Sequence, residues 1–477
     1  MENQATSQAQ GIIEKAVAAA RAFRQLGQKE TDRIVRAVYQ AALSKRIELA
    51  KLAYEETSMG VWEHKVIKNV IATQLVYEDI KNLKTVGVIS EDPRNGMIEV
   101  AAPLGPILGF IPVTNPTSTT IFKALICLKT RNPLILSPPP AAKSCIAAAA
   151  QICYDAALGA GAPEHCIQWL HKPSENTLNE LMGHHRMALI LATGTDALVR
   201  KASSAGTPAI GVGPGNVPVY IGASADIPYA IRSIIASKTL DNGTICASEQ
   251  AVVVKTVTAD EIVQEFKHQG GYFLTSDEIE KVGKIAYDKE RGMMSALVVG
   301  QSVERIAQSA GISVPPRTKL LLAELNGVGR EYPLSAEILA PILAFYIEGD
   351  FDAAIKRCTE ITHFGGLGHT AVIYSNTDER IEYFSRTIDA SRILVNIPSV
   401  YGALGGIDNT LSPSFTLGCG SGGNNITTDN ITAKHLLNIH RITRRRPNPR
   451  WANFDQKMYF DEGATAEEIE REFNKNY

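Results

Sequence analysis

LGPILGFIPVTNPTSTTIFKALICLKTRNPLILS, residues 104–137, decides the fold. An apolar run, Ile107–Val113, reads as a strand. Thr117–Leu128 reads as a helix, and Leu134–Ser137 as a second strand. The same alternation continues downstream. Helix-like stretches lie at Ala141–Leu158, Glu175–Met182 and Thr195–Ser204, and strand-like ones at Ile167–Leu170, Met187–Thr193 and Val217–Ile221. Gly159 and Gly161 are stop signals for the first of these helices. Strands that are apolar almost throughout, separated by helices, imply a parallel sheet covered on both faces.

Upstream, residues 11–58 read as helices, with Ile34, Val35, Val38, Ala42 and Leu43 at helical spacing. Residues 96–103 look like a strand. Downstream, a second α/β block comprises strand-like 250–254, 294–299, 318–323, 370–375 and 392–397 and the helix-like 259–268. Residues 411–425 are rich in Gly, Ser and Asn. Thr465 and Glu468 have the spacing of a capping box for a terminal helix. A chain of 477 residues exceeds one ordinary core, so two or three domains are expected.

Charged residues make up 21% and the net charge is −2, which gives no global attraction to nucleic acid or an acidic membrane surface. The start, MENQATSQAQ, is polar, and no run of 18 apolar residues occurs. Neither a membrane partner nor a nucleic-acid partner is expected, and the chain reads as cytoplasmic. Seven cysteines without a CxxC pair fit reduced thiols better than disulfides or a zinc site. No metal site is expected: His184 and His185 are adjacent and would point differently on a helix.

DNGTICASEQ, 241–250, places Cys246 between a glycine turn and the strand-like Ala251–Val254. A thiolate attacks carbonyl carbon where a thiol hardly does. Local pattern alone favours an inert packed cysteine, as Cys127, Cys145, Cys153 and Cys358 on apparent helix faces also suggest. The wider sequence reverses this. With IPVTNPTSTTIFKALICLKTRN (111–132), GTPAIGVGPGNVPVYI (206–221), HFGGLGHTAVIYS (363–375) and LSPSFTLGCGSGGNN (411–425), the chain resembles the aldehyde dehydrogenase superfamily. It is closest to the coenzyme A-acylating branch: the aldehyde dehydrogenase half of bifunctional aldehyde–alcohol dehydrogenases, and stand-alone acetaldehyde and sulfoacetaldehyde enzymes.

The resemblance implies an α/β aldehyde dehydrogenase fold with a Rossmann-like cofactor domain, an α/β catalytic domain and a small oligomerisation β-extension. The expected boundaries are 1–93 with 106–218 for the cofactor domain and 219–412 for the catalytic domain. Oligomerisation strands fall at 94–105 and 426–450, and a tail at 451–477. A homodimer or homotetramer is implied. The alcohol dehydrogenase half that follows in bifunctional relatives is expected to be missing.

The resemblance also assigns roles. Cys246 attacks the aldehyde and carries the thioester. Asn115, with the cysteine's own N–H, holds the oxyanion; an Asn-Pro turn former is its ordinary alternative. Hydrolytic relatives carry a glutamate two residues before a Gly-Gly pair. With the shared proline at Pro218, Val212 stands there, and valine takes no proton. Water needs a base; coenzyme A, with a thiol pKa of about 8.5 if it behaves like free cysteine, needs less help. Glu249 is the possible substitute base and reads better as structural. His369, in GGLGHT, shuttles a proton or helps the incoming thiol, or is merely satisfied in a glycine-rich turn.

No GxGxxG fingerprint opens a helix. Thr193, Gly194 and Thr195 resemble the family's phosphate-facing turn before a helix N-terminus. Ser137 stands where the family has a lysine on the adenosine ribose, with Lys143 the nearest lysine, so NAD versus NADP stays open. Glu337 matches the glutamate on the nicotinamide ribose. The reading is therefore an NAD- or NADP-dependent enzyme that converts a small aldehyde and coenzyme A to acyl-CoA. Acetaldehyde is favoured and sulfoacetaldehyde the alternative, with Tyr401 near the aldehyde. A hydrolytic dehydrogenase, a non-catalytic assembly subunit and a cofactor-free cysteine hydrolase remain as rivals. The basic cluster Arg444–Arg446 with Arg450 reads as a solvated face, or as a contact for coenzyme A phosphates or a neighbouring subunit.

Overall fold

The computed structural model describes residues 2–475. They form two compact units, one of residues up to Leu83 with Pro103–Leu437, the other of Lys84–Ala102 with Asn438 onward.

The large unit holds two all-parallel sheets. In the first the strand order is Ile167–Trp169, Leu134–Ser137, Ile107–Phe110, Leu189–Thr193, Ala209–Val212. The chain winds outward from Ile107–Phe110 in one direction and returns on its other side, so the topological switch lies between Ile107–Phe110 and Leu189–Thr193. Open α/β sheets bind ligands beyond the strand C-termini at such a point. The second sheet runs Gly271–Phe273, Leu320–Glu324, Ile342–Glu348, Glu249–Lys255, Val217–Ile221, Gly368–Tyr374, Ala390–Val395.

Residues 213–216 connect the two. They leave the C-terminal end of Ala209–Val212 and enter the N-terminal end of Val217–Ile221. One hydrophobic core runs through both sheets, from Phe23 through Leu136, Val219 and Phe345 to Leu436. At its centre is the helix Pro116–Lys129, every residue of which is buried. Pro116 at its first position costs no hydrogen bond, since that N–H has no intrahelical partner. Burying a Leu, Ile or Phe is worth about 1.5–3 kcal/mol each, so Ile121, Phe122, Leu125 and Leu128 alone fix this helix against the sheet.

The terminal helix forms as its capping box requires: Thr465 caps Ala466–Asn474 reciprocally with Glu468. The helix before Gly161 ends at Gly159, and Gly161 takes φ +94°. One local expectation fails and one strand was passed over. Residues 294–299 are not a strand. Met293–Met294 pairs in a hairpin with Tyr287–Asp288, and a turn follows; the short apolar run buries Val298 and Val299 without a ladder. Ile342–Glu348, an interior strand between Pro341 and Gly349, was not anticipated.

In the small unit Gly87–Asp92 and Met97–Pro103 form an antiparallel hairpin, extended by Leu437–Thr443 to three strands. The hairpin begins earlier than the segment 94–105 singled out above. Phe454 packs its ring 4.6 Å from Tyr459 and 5.7 Å from Phe473, which gives the C-terminal segment a small aromatic cluster. No helix among the described residues is long and apolar enough to cross a membrane.

Candidate active site

The loop that delivers Cys246 begins with three consecutive left-handed residues: Asp241 at φ 52°, Asn242 at 53° and Gly243 at 76°. Only the third is glycine, and such positions cost about 1–3 kcal/mol each for other residues. The surroundings over-determine the turn. The Asp241 carboxylate accepts from Val61 N–H at 2.7 Å, Lys65 Nζ at 2.9 Å, Lys68 Nζ at 2.5 Å and Thr244 Oγ1 at 2.8 Å. Its own N–H donates to His64 Nδ1 at 2.8 Å, and Asn242 Nδ2 donates to Gly300 O at 2.9 Å. Lys65, Lys68 and Asp241 are all buried. Gly60 makes room, since a Cβ there would lie 1.9 Å from Asp241 Oδ1. Sequence reading missed this cluster; its signal was two lysines three apart on an amphipathic helix, a spacing that ordinarily means a solvated face.

The sulfur emerges at the N-terminal edge of the second sheet. Cys246 is partly exposed, whereas the other six cysteines are buried. Cys127, Cys145, Cys153 and Cys358 thus have the packed environment expected of them. His369, at the start of Gly368–Tyr374, brings Nε2 to 3.3 Å from Cys246 Sγ and Nδ1 to 3.0 Å from Thr370 Oγ1. Gly215 lets the chain pass close behind the sulfur loop: a Cβ there would meet Cys246 O at 2.2 Å and His369 Cγ at 3.1 Å. Burial, then the neighbouring Glu337 and Cys419, push the Cys246 thiol up to about 12, against a lowering pull from Arg392. Burial and the Arg392 charge push the His369 imidazole down to about 3, so the ring is neutral. Arg392 and Cys419 were not foreseen as neighbours of this sulfur.

Asn115 precedes the buried helix and reaches the cysteine loop. Its Nδ2 donates to Thr244 O at 3.2 Å and to Thr114 Oγ1 at 3.1 Å, while its buried Oδ1 has no hydrogen-bond partner among the described residues. The amide is thus tied to the residue two before Cys246. Thr244 is also bonded by Lys68 Nζ at 2.8 Å, so one chain of contacts joins Asp241, Thr244 and Asn115.

Thr193 ends its strand at the switch point, Gly194 turns, and Thr195 caps the helix Asp196–Ser203 with its hydroxyl accepting from Leu198 N–H. A helix N-terminus with its partial positive charge faces this turn. Lys123 stitches the crevice from beneath, donating to Phe110 O at 2.6 Å, Leu191 O at 2.9 Å and Thr193 Oγ1 at 3.2 Å. Burial lowers its pKa to about 7. Ser137 ends its strand, buried, and Lys143 opens the following helix. Glu337 is buried and not a surface carboxylate. Its Oε1 accepts from Gly215 N–H at 2.9 Å, and burial raises it to about 7 against the charge of Lys238. A glycine turn at a helix N-terminus on the switch point suits the pyrophosphate of a dinucleotide.

At the position of the hydrolytic base, Val212 is a buried strand residue. Glu249 is fully buried, accepts from Ser399 N–H at 2.8 Å and is raised to about 7 by burial; it braces the helix that carries Tyr401. His184 and His185 lie past their helix with rings stacked at 4.6 Å instead of diverging. Among the described residues no cluster of three His, Cys, Asp or Glu groups could hold a metal. The arginines 444–446 are exposed, with Arg446 Nη1 donating to Asn95 Oδ1 at 3.3 Å.

Comparison with known proteins agrees with this geometry. Residues 1–408 match the profile of the aldehyde dehydrogenase family. The bifunctional aldehyde-alcohol dehydrogenase AdhE of Escherichia coli (strain K12) is 43% identical over 95% of this chain and 51% of its own. The chain therefore spans about half the length of such relatives. The succinate-semialdehyde dehydrogenase (acetylating) of Clostridium kluyveri is 35% identical over 90% of this chain and 94% of its own. The crystal structure of an acetylating aldehyde dehydrogenase from Geobacillus thermoglucosidasius superposes with a TM-score of 0.90 at 45% identity, covering 94% of this chain and 99% of that one. With the family profile matched across both sheets and the sulfur loop, the chain belongs to the aldehyde dehydrogenase family.

Proposed function

We propose that the protein is a coenzyme A-acylating aldehyde dehydrogenase acting on a small aldehyde, acetaldehyde first. The observation that carries this is the pairing of an accessible, histidine-contacted Cys246 with a valine where a hydrolytic base belongs. Cys246 adds as thiolate to the aldehyde carbon. The carbonyl oxygen becomes an oxyanion beside the Cys246 N–H and the Asn115 amide, which exchanges its bond to Thr114 Oγ1 for one to the oxyanion. Bound NAD or NADP supplies the acceptor for the hydride that leaves this carbon; Thr193, Gly194, Thr195, Ser137 and Glu337 would hold it. The acyl group then rests on Cys246 as a thioester. Val212 cannot activate water. The coenzyme A thiol instead loses its proton to solvent and attacks the acyl carbon, and the Cys246–carbon bond breaks to release thiolate. The sum is aldehyde, coenzyme A and NAD(P)+ giving acyl-CoA, NAD(P)H and a proton. Assembly through the three-stranded sheet as a homodimer or homotetramer is part of the same reading.

The test is product analysis with aldehyde and either nicotinamide, with and without coenzyme A. The expected result is acyl-CoA with nicotinamide reduction that depends on coenzyme A. Free acid formed equally well without coenzyme A would overturn the proposal. A panel including acetaldehyde and sulfoacetaldehyde reads the substrate in the same assay.

A further inference from the structure

We propose that Thr370 and Arg392 hold His369 in the tautomer that carries its proton on Nε2 and donates it to the Cys246 sulfur. They are then positioning residues for the thiolate, and this deepens the thiol chemistry proposed above, on which it rests. The assignment follows from hydrogen-bond accounting. A guanidinium donates and never accepts. Arg392 Nε donates to Thr370 Oγ1 at 3.2 Å, and Nη2 to His369 O at 2.9 Å. Nη1 donates to Thr428 O at 3.3 Å and Asn430 Oδ1 at 3.4 Å. Strand pairing makes this meeting obligatory, since Thr370 and Arg392 are register partners in adjacent parallel strands.

Thr370 is 1% exposed. Among the described residues its hydroxyl meets two groups: Arg392 Nε and His369 Nδ1, the latter at 3.0 Å. Because Nε is a donor, the hydroxyl's own proton has one acceptor, Nδ1. A ring nitrogen that accepts is unprotonated, so the neutral imidazole carries its proton on Nε2. That atom lies 3.3 Å from Cys246 Sγ. The opposite tautomer would aim two N–H donors at the Thr370 oxygen and leave a buried O–H unsatisfied. The ring's neutrality has its own cause, burial beside the Arg392 charge.

Four further groups act on the sulfur: Glu337 and Cys419 oppose its ionisation, while Arg392 and Lys68 favour it. His369 is the side chain in hydrogen-bond contact with it. As a donor, His369 does not take the proton of Cys246. It steadies the thiolate that attacks and the thiolate that leaves.

The rate of Cys246 alkylation by iodoacetamide, followed as a function of pH by peptide mass, tests this in the full-length protein. Thr370→Val keeps the β-branched shape and removes the relay. It is expected to lower the rate below the thiol's midpoint roughly threefold or more by moving that midpoint upward. Thr370→Ser should restore the original profile. If His369 instead accepted the thiol proton, losing the Thr370 oxygen would free Nδ1–H and favour the donor tautomer, moving the midpoint downward. A downward shift, or none, overturns the proposal. Should the valine variant not fold, 15N-histidine NMR of the unmodified protein decides, with His369→Ala assigning the signal. An unprotonated Nδ1 and protonated Nε2 support the relay, and the reverse sinks it. Coenzyme A-dependent turnover is measured separately, so loss of the catalytic reading and loss of the relay give different results.

Discussion

Cys246, Asn115 and Gly215 do different work within one pocket, and replacing each should fail differently. Under the proposed function, Cys246→Ala removes the atom that would bond to substrate, and turnover should fall at least about a thousandfold while nicotinamide binding persists. Asn115→Ala withdraws the proposed oxyanion donor and should cost about 10²–10³ in kcat. Gly215→Ala must move the Cys246 carbonyl, which a Cβ would approach to 2.2 Å, and a displacement near 1 Å costs roughly a hundredfold. Steady-state kinetics with equilibrium nicotinamide binding separates the three. Cys246 and Asn115 were singled out because several motifs occur in one order, and Val212 as the residue standing where a hydrolytic base is expected; Gly215 was not singled out. Nor were Thr370, Arg392 and Cys419. Nothing in GGLGHT, SRILVN or LGCGSG states that parallel pairing will set Thr370 beside Arg392, or that a glycine-rich loop will bring a second thiol toward the first.

The turn 241–243 and the helix Trp62–Val70 form one element pair, although about 175 residues separate their contacts. Asp241→Asn would leave Lys65 and Lys68 buried without a full counter-charge. Breaking a buried pair in this way costs about 3–5 kcal/mol, so urea unfolding should show a loss of that size. Iodoacetamide access to Cys246 should rise as the turn loosens. At this scale sequence reading did well where apolar strands stand between polar breaks, as in Ile107–Phe110 and Leu134–Ser137. It failed at 294–299, where a short apolar run is buried by a turn. It passed over Ile342–Glu348, although Pro341 and Gly349 mark both ends of that apolar run. Lys65 and Lys68 drew no notice, because helix periodicity cannot know that an aspartate far along the chain will cover that face.

For the whole molecule, buried lysines give stability a pH dependence with a definite sign. Burial lowers Lys68 to about 8, and Lys123 and Lys238 to about 7, from 10.5. From pH 7 to 9 the unfolded chain holds more of these protons than the folded one, so stability rises with pH. Above pH 9 the thiols reverse the slope. Cys127, Cys153, Cys166 and Cys246 are raised to about 12 from 9.0, so the unfolded chain loses those protons first. Glu249 and Glu337, both near 7, act below that value. Calorimetric melting temperature should therefore climb from pH 7 to about 9 and then decline. The anchoring of the sulfur loop on Lys65 and Lys68 also sets a schedule for biosynthesis. At about 5–20 residues per second, the two lysines leave the ribosome roughly ten to thirty seconds before their aspartate. Until it arrives they must stay hydrated, so the nascent chain cannot close this corner, or fix the sulfur loop, before Asp241 has emerged.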